Sequence, residues 1–349
     1  MIFLSLITIL LTGLNGLIAF SLLALFSKSS FGRDVDSKHG LSAGKSRLGG
    51  IAITLSILFG CIVNQHFVYG QNTYVFIPFF KPIIVLSLLV GLIGLAEDLN
   101  PNISSAKRLI LMIFFVFIGL NFMPELVPYN MQVYESIGIN EYRSLIFTFT
   151  IIMICGFINA GNIADGANGL LTSIYFGFFL VAYSIDSSIF NFSVLTSLLA
   201  FIVFNVSTGR IFLGDFGAYF LSALVAYKCL EFYSQEIVNI FFMATLLVYP
   251  CFEITRSLVV RSIRSASVMK PDNNHLHNYL NEYILKYRLS QNTANSLTGL
   301  TIGFTTTIAP ITLYFSGFAI NSNIWIILFL VQFSLLSLIY IFFKKNLKI

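Results

Sequence analysis

The stretch PFFKPIIVLSLLVGLIGLAED, residues 78–98, decides the fold class. It is apolar almost throughout until Glu97 and Asp98 close it, and it is long enough for a helix to cross a hydrocarbon core of about 30 Å. Runs of the same kind recur along all 349 residues. Hydrophobic residues make up 57% of the chain and charged residues 10%, whereas a soluble domain carries roughly 25% charged residues. The sequence therefore predicts an all-α, polytopic membrane protein that forms a single domain over residues 1–349.

We predict about eleven transmembrane helices, because as many apolar runs have the length of roughly 17–25 residues that a span needs. The first run is longer than the apolar core of a cleavable signal, and its positive charge follows it, so we expect it to remain as a span. Pro124 and Pro128 close the short fourth run. The predicted spans lie near 2–26, 49–69, 78–96, 108–123, 144–161, 170–185, 191–208, 216–232, 237–254, 293–317 and 323–343.

The distribution of basic residues indicates how the predicted spans are oriented in the membrane. With the N-terminus outside, all but three of the 20 Lys and Arg residues fall in inner segments or in the C-terminal tail. The exceptions are Lys81, Arg143 and Lys228. This bias follows the positive-inside rule, so we predict a cytoplasmic C-terminus. The net charge of +5 is then a signal of topology and of attraction to anionic lipid headgroups, and we predict no nucleic-acid partner.

Four carboxylates lie where an apolar run meets the predicted inner face. They are Glu97, Asp98, Asp165 and Asp215, and they come from three separate connections. Ionisable groups at this depth are costly and normally face a cavity that holds water or a ligand. An acidic cluster rimmed by Lys and Arg suits Mg²⁺ with a phosphorylated substrate, because carboxylates hold the hard cation and basic side chains neutralise phosphate oxygens.

The other acids have simpler interpretations. Glu253 lies three residues before Arg256, so a local ion pair on one helix accounts for it. The acids in predicted outer loops or at outer helix ends are expected at the solvated surface. These are Glu125, Glu135, Glu141, Asp186, Glu231 and Glu236.

The inner carboxylates also have purely structural interpretations. A salt bridge to Lys107 or Arg108 would account for Glu97. Asp215 stands at the start of a predicted span, where an aspartate can cap the helix by accepting its unpaired N–H groups.

The two remaining polar segments also have more than one interpretation. NIADGANGLL at 162–171 could be an ordinary turn between spans. If it is helical, Asn162, Asp165 and Asn168 form one stripe. The two histidines of PDNNHLHNYL at 271–280 are two residues apart, so we expect that they do not share one helix face. They could be solvated loop residues, and no third ligand stands at zinc spacing.

Taken together and in order, five stretches resemble the polyprenyl-phosphate N-acetylhexosamine-1-phosphate transferase superfamily, glycosyltransferase family 4. It includes the MraY-type phospho-N-acetylmuramoyl-pentapeptide transferases and the WecA-type GlcNAc-1-phosphate transferases. The eleven-span layout is also that of the WecA-like branch. The stretches are DSKHGLSAGKSRLGG at 36–50, GLAEDLN at 94–100, NIADGANGLL at 162–171, GRIFLGDFGAYFL at 209–221 and PDNNHLHNYL at 271–280.

The resemblance implies a Mg²⁺-dependent transferase, with Mn²⁺ as an alternative ion. It would move a sugar 1-phosphate from a UDP-sugar onto a polyprenyl phosphate such as undecaprenyl phosphate and release UMP. The product would start cell-wall or surface-polysaccharide assembly, such as that of lipopolysaccharide or O-antigen. The implied location is the inner (plasma) membrane, with the active site on the cytoplasmic face. Whether the chain forms a homodimer stays open.

Site residues carry over from the family position by position. Asp215 matches a Mg²⁺-binding aspartate, and Asn162 matches an asparagine that lines the same metal and diphosphate site. Asp98 matches the second acid of an Asp-Asp motif, which has been assigned as base, nucleophile or lipid-phosphate positioner. Lys107 matches a lysine that faces phosphate. The predicted catalytic set is completed by Glu97, Asp165, His275 and His277, and the predicted substrate contacts by Arg108, Asn168, Lys38, His39 and Arg47.

Three positions depart from the family pattern. Glu97 stands where the family usually has aspartate, and Asn168 stands where bacterial members usually have a second aspartate. Because asparagine cannot act as nucleophile or base, we interpret Asn168 as a uridine or sugar contact. Asn278 replaces the third histidine of the motif. The chain therefore resembles a divergent branch, and these changes bear on the sugar more than on the reaction.

The expected chemistry is a single in-line displacement. A lipid phosphate has a second pKa near 6 and is mostly dianionic at pH 7, so a strong base is unnecessary. Asp98 would orient this phosphate or remove its last proton, and we favour this over a covalent aspartyl intermediate. One alternative is a transporter or channel, although its site should lie near the membrane midplane and often shows repeat symmetry. Another is a catalytically weakened relative that serves as a scaffold.

Overall fold

The computed structural model describes residues 2–29, 45–69, 82–100, 103–129, 138–139, 141–263, 274–320 and 323–347. Nearly all of them belong to 13 α-helices. A 3₁₀ turn at Pro124–Leu126 follows the fourth helix, as the prolines predict. The helices are α1 (Ile2–Phe26), α2 (Gly49–Tyr69), α3 (Pro82–Leu99), α4 (Ser105–Phe122), α5 (Arg143–Ala164), α6 (Leu170–Ile185), α7 (Ile189–Thr208), α8 (Gly214–Ser234), α9 (Ile240–Leu246), α10 (Val248–Ile263), α11 (Leu276–Leu285), α12 (Gln291–Phe315) and α13 (Ile324–Leu347).

The described helices are those of a multi-pass membrane protein. Six of them, α3, α4, α5, α7, α12 and α13, are long and apolar enough to cross a membrane, and the bent pair of α9 and α10 gives a seventh span if it counts as one. Shorter apolar helical stretches lie at Thr12–Phe26 within α1, at Gly49–Val63 within α2 and at Leu170–Ile185, which is α6. Every predicted span overlaps a helix or this helix pair. The all-α polytopic fold is confirmed, and the number of crossings stays a prediction.

The predicted span at 237–254 is not one straight helix. The chain bends by 84° between α9 and α10, and α10 continues to Ile263. Pro250 explains why a new helix starts here, because proline has no N–H to donate to the preceding turn and is tolerated in the first turn of a helix.

Helix α8 forms the centre of the bundle, and every residue from Gly214 to Lys228 is buried. Helices α2, α3 and α5 pack against it. Small residues permit this close packing: a Cβ on Gly50 would lie 2.2 Å from the Cα of Gly217, and one on Gly94 would lie 2.3 Å from the carbonyl oxygen of Asp215. The start of α8 is therefore enclosed by helices that carry other predicted site residues.

The opposite end of α8 carries an ion pair that the sequence did not predict. The Lys228 ammonium is buried, 2.7 Å from a Glu231 carboxylate oxygen and 3.6 Å from one of Asp186. Both acids were expected at the solvated surface, and they are only partly exposed. An ammonium inside the bundle needs such counter-charges, because an unpaired buried charge is costly.

Candidate active site

The segments that precede α2 and α8 lie side by side and bring the first turns of these helices together. The N–H of Phe212 donates to the Ser46 carbonyl at 2.8 Å, and the N–H of Gly49 donates back to the Phe212 carbonyl at 2.9 Å. The chain then turns at Gly214, whose φ of +75° favours glycine. A Cβ there would lie 2.1 Å from the Arg47 carbonyl oxygen. This pairing fixes Arg47 beside the start of α8.

Arg47 bridges two of the predicted acids. Its Nη1 lies 3.0 Å from Oδ1 of Asp98, and its Nη2 lies 3.0 Å from Oδ1 of Asp215. The Asp98 side chain is only 2% exposed, and the other two are 10% exposed. The guanidinium fork thus holds the carboxylates of α3 and α8 at one end of the bundle.

Asp98 also caps α8. Its Oδ1 accepts from the N–H of Asp215 at 3.2 Å, and its Oδ2 accepts from the N–H of Phe216 at 3.0 Å. The capping role considered for Asp215 therefore belongs to Asp98, which satisfies free N–H groups at a helix N-terminus from a neighbouring helix. This also explains why an acid ends α3, where the helix dipole alone disfavours it.

Asp165 follows the last residue of α5 and forms no side-chain hydrogen bond with a described residue. Burial, together with the like charges of Asp215 and Asp98 and against the opposing charge of Arg47, raises the pKa of its carboxyl to about 7. Asp165 is therefore within electrostatic reach of both acids. The structure brings together three of the four carboxylates that the sequence singled out, around one guanidinium.

The predicted stripe of Asn162, Asp165 and Asn168 does not form. Helix α5 ends at Ala164, because the segment turns at Gly166 and then at Gly169, whose φ is +75°. Asn162 remains on the last turn of α5, and its side chain makes no hydrogen bond within the described part of the chain. Asn168 instead points towards α12.

Asn168 is 1% exposed and lies in a buried amide network. Its Nδ2 donates to Asn292 Oδ1 at 3.2 Å and to Ser296 Oγ at 3.0 Å, and its backbone N–H donates to Asn295 Oδ1 at 3.2 Å. Both amide hydrogens are therefore used. The uridine or sugar contact predicted for Asn168 would require its side chain to leave this network.

We expect Asn168→Asp, which restores the common bacterial residue, to lower the free energy of unfolding by about 1–3 kcal/mol. Aspartate cannot donate to Asn292 and Ser296, and it places an unpaired charge in a buried site. Thermal unfolding of the purified protein in detergent measures the effect. Asn159→Asp is the matched control, since that amide is only partly buried and donates to its own helix. Equal stability of Asn168→Asp and the wild type would contradict the structural role.

Glu97 occupies a different place from Asp98. It forms an ion pair with Arg108, whose Nη1 also lies 3.2 Å from the buried Tyr219 hydroxyl. The salt bridge considered for Glu97 is therefore present, and the longer side chain of glutamate serves it. Lys107, one residue earlier in α4, is exposed, and its ammonium has no ion-pair partner within the described residues. Of these two bases, Lys107 is the one available to a phosphate.

The two histidines do not share a helix face, as expected, but both are buried rather than solvated and they lie together. His275 precedes α11 in an extended conformation, and His277 belongs to its first turn, so the rings stack with centroids 5.2 Å apart. A Cβ on Gly166 would lie 1.9 Å from Nε2 of His277. The histidine motif therefore contacts the glycine-rich segment that carries Asp165.

Glu253 is a residue to which the sequence analysis assigned only a local ion pair. It pairs with Arg256 as predicted, but it is fully buried and also contacts Nδ1 of His275 at 2.8 Å. An ionisable residue inside an apolar run was the available signal. Lys38 and His39, both predicted substrate contacts, lie outside the described residues.

The donor chemistry fits a hard divalent cation, although no three His, Cys, Asp or Glu side chains of the described residues form a ready-made metal group. The predicted ligands Asp215 and Asn162 offer carboxylate and amide oxygens, which Mg²⁺ prefers. Only one oxygen of Asp215 is bonded to Arg47. Arg47 pairs with Asp98 and Asp215, and Asp165 is within electrostatic reach, so the acids outnumber this guanidinium.

Comparisons with known proteins show what this chain is similar to. The sequence model of glycosyl transferase family 4 matches residues 80–233, which include Asp98, Asp165 and Asp215. The chain is 25% identical over 299 residues to a probable undecaprenyl-phosphate N-acetylglucosaminyl 1-phosphate transferase of Bacillus subtilis (strain 168), covering 82% of this chain and 76% of the relative.

Two further relatives are phospho-N-acetylmuramoyl-pentapeptide-transferases. That of Shouchella clausii is 27% identical over 221 residues, or 57% of this chain and 66% of the relative. That of Dictyoglomus thermophilum is 30% identical over 199 residues, or 54% of this chain and 60% of the relative. Residues 80–233 are therefore similar to glycosyl transferase family 4, and the similar relatives are of its MraY- and WecA-like group.

Proposed function

We propose that the chain transfers a sugar 1-phosphate from a UDP-sugar to undecaprenyl phosphate or a related polyprenyl phosphate, releasing UMP. The observation that carries this proposal is the meeting of Asp98 and Asp215 on Arg47, with Asp165 in electrostatic reach, at one end of a membrane bundle. The relatives are named as transferases of this kind. The sugar is an N-acetylhexosamine or a deoxy-aminosugar, and the product starts cell-wall or surface-polysaccharide assembly.

In the reaction, a lipid-phosphate oxygen attacks the β-phosphorus of the UDP-sugar. The bond from this phosphorus to the bridging oxygen breaks, and UMP leaves with the bond's electrons. A Mg²⁺ or Mn²⁺ ion held by Asp215 and Asn162 would neutralise the diphosphate and make UMP a better leaving group. The chain's other residues position the two anions for this in-line displacement.

The contacts of the predicted residues support a different role for each of them. Lys107 holds the lipid phosphate, because its exposed ammonium has no partner within the described residues, whereas Arg108 is committed to Glu97. Asp98 accepts hydrogen bonds from two N–H groups and an ion pair from Arg47, so it acts by holding the start of α8 in place. Asp165, without such bonds, faces the incoming phosphate.

We further propose eleven spans with the N-terminus outside and the C-terminus in the cytoplasm. The distribution of Lys and Arg supports this orientation. The acids then open to the cytoplasmic face of the inner (plasma) membrane, where a UDP-sugar and a lipid phosphate can meet.

The test is UMP release by the purified protein with undecaprenyl phosphate and a set of donors: UDP-GlcNAc, UDP-GalNAc and UDP-linked deoxy-aminosugars. We expect UMP with at least one donor, no UMP without the lipid, and loss of turnover in EDTA. The absence of UMP with every donor, from protein that unfolds cooperatively, would contradict the proposal. Solute flux in proteoliposomes that survives Asp215→Asn would then indicate a transporter.

A further inference from the structure

Helix α10 and the start of α11 enclose the buried carboxylate of Glu253, which four polar groups contact. The Oε1 atom of Glu253 accepts from the N–H of Leu276 at 2.8 Å and from the Tyr249 hydroxyl at 3.1 Å. Its Oε2 lies 3.1 Å from Nε of Arg256 and 2.8 Å from Nδ1 of His275. Glu253 and Tyr249 are both 0% exposed. A local ion pair with Arg256 would need none of the other three contacts.

The Tyr249 hydroxyl joins this carboxylate to the second histidine. Its oxygen lies 2.9 Å from Nδ1 of His277 as well as 3.1 Å from Glu253. A phenol has a single hydrogen, and a carboxylate can only accept. Because a hydrogen bond to a charged acceptor is the stronger one, the hydroxyl donates to Glu253. Its oxygen must then accept from His277, so Nδ1 of His277 carries the proton.

The opposite nitrogen of His277 points at the glycine-rich segment. Nε2 lies 1.9 Å from where a Cβ on Gly166 would stand, so only glycine leaves room for the ring next to Asp165. Burial lowers the pKa of His277 to about 3, helped by His275 and Arg256 and opposed by Glu253. The ring is therefore neutral at pH 7, and a neutral ring with its proton on Nδ1 has a lone pair on Nε2.

We propose that Glu253, acting through Tyr249, fixes His277 as the Nδ1–H tautomer and presents its unprotonated Nε2 at Gly166 to accept a hydrogen bond from a hydroxyl or amide N–H of the sugar donor. His277 is thereby a sugar-selecting acceptor, and it is not a cation that binds phosphate. Glu253 and Tyr249 are positioning residues. The tautomer is independent of the proposed function, whereas the group that Nε2 recognises rests on it.

The first test reads the tautomer directly. The full chain, labelled with ¹⁵N-histidine, is examined by long-range ¹H–¹⁵N correlation at pH 7.5, and His277→Gln assigns the signals. We expect the Nδ1–H tautomer for His277 in the wild type. Tyr249→Phe should convert it towards Nε2–H and leave His275 unchanged, because only His277 loses its acceptor. Glu253→Gln should disturb both rings.

The matched control is Glu231→Gln. Glu231 also pairs with a base three residues away, Lys228, but it lies at the end of α8 away from Asp215 and contacts no histidine among the described residues. It should leave the His277 signals unchanged. A doubly protonated or Nε2–H ring in the wild type would overturn the proposal. So would a His277 signal that stays the same in both Tyr249→Phe and Glu253→Gln.

The second test separates the two substrates. We expect Tyr249→Phe to lower kcat/KM for the UDP-sugar about ten- to hundredfold, as is usual for residues that orient a histidine. The KM for undecaprenyl phosphate should stay within about twofold. Equal losses for both substrates would overturn the role in sugar recognition. If the wild type shows the expected His277 tautomer but releases no UMP, the positioning of His277 by Glu253 and Tyr249 is supported and the proposed function is contradicted.

Discussion

Asp215→Asn is expected to lower the rate of UMP release by at least about a thousandfold, which corresponds to about 4 kcal/mol of lost transition-state stabilisation. The amide removes the charge that the proposed cation site needs at the start of α8. The fold should survive, because an asparagine Oδ1 can still accept from Arg47, and Asp98 continues to cap the helix. Turnover at saturating donor and lipid, together with thermal unfolding of the same preparation, measures both expectations.

Asp186→Asn is the matched control for this prediction. Asp186 also faces a buried base, Lys228, but it lies at the other end of the bundle from Asp215. Its loss should leave turnover within about twofold, since partly exposed pairs contribute roughly 0–1 kcal/mol. Turnover by Asp215→Asn at the wild-type rate would remove Asp215 from the metal site. If Asp215→Asn no longer unfolds cooperatively, Asp215 is needed for the fold itself, contrary to the expectation that the retained hydrogen bonds preserve it.

The helices were predictable because apolar runs of span length and the charges between them are local properties of the sequence. The break between α9 and α10 was not predicted, although Pro250 in the first turn of α10 permits a helix to start there. A proline inside an apolar run can kink a span, start a new helix or be accommodated, and the outcome depends on how neighbouring helices re-satisfy the backbone. The 84° bend is therefore a tertiary result.

The acids of the site were predictable, but their partners were not. The positions of Asp98, Asp165 and Asp215 at helix ends follow from where apolar runs stop. That Arg47 joins two of them depends on the backbone pairing of Ser46 with Ile211, which are far apart in sequence. No local pattern encodes such a contact.

Glu253 is a second residue whose long-range partners could not be predicted from the sequence. A base three residues away offered a sufficient local explanation for this acid, and the structure confirms that pair. What the sequence could not show is that α11 returns to place His275 and the N–H of Leu276 on the same carboxylate. A buried charge with a satisfying local partner can therefore still be the centre of a larger arrangement.

Arg47→Ala is expected to lower the free energy of unfolding by about 3–5 kcal/mol, because it leaves the buried carboxylates of Asp98 and Asp215 without their shared cation. Arg47→Lys should recover part of this loss, since lysine keeps the charge but cannot bond both acids through a rigid fork. Thermal unfolding in detergent with EDTA gives the comparison. Arg143→Ala is the control, because that exposed side chain lies over the Tyr129 ring and pairs with no acid among the described residues.

The same variant tests the cation site without any enzyme assay. If the acids around Arg47 can hold a divalent ion, Mg²⁺ should raise the melting temperature of Arg47→Ala more than that of the wild type, because the ion takes over the charge that the guanidinium supplied. EDTA should reverse the gain, and Arg47→Ala/Asp215→Asn should lose it. A melting temperature of Arg47→Ala that is the same in Mg²⁺ and in EDTA would mean that these carboxylates do not form a cation site.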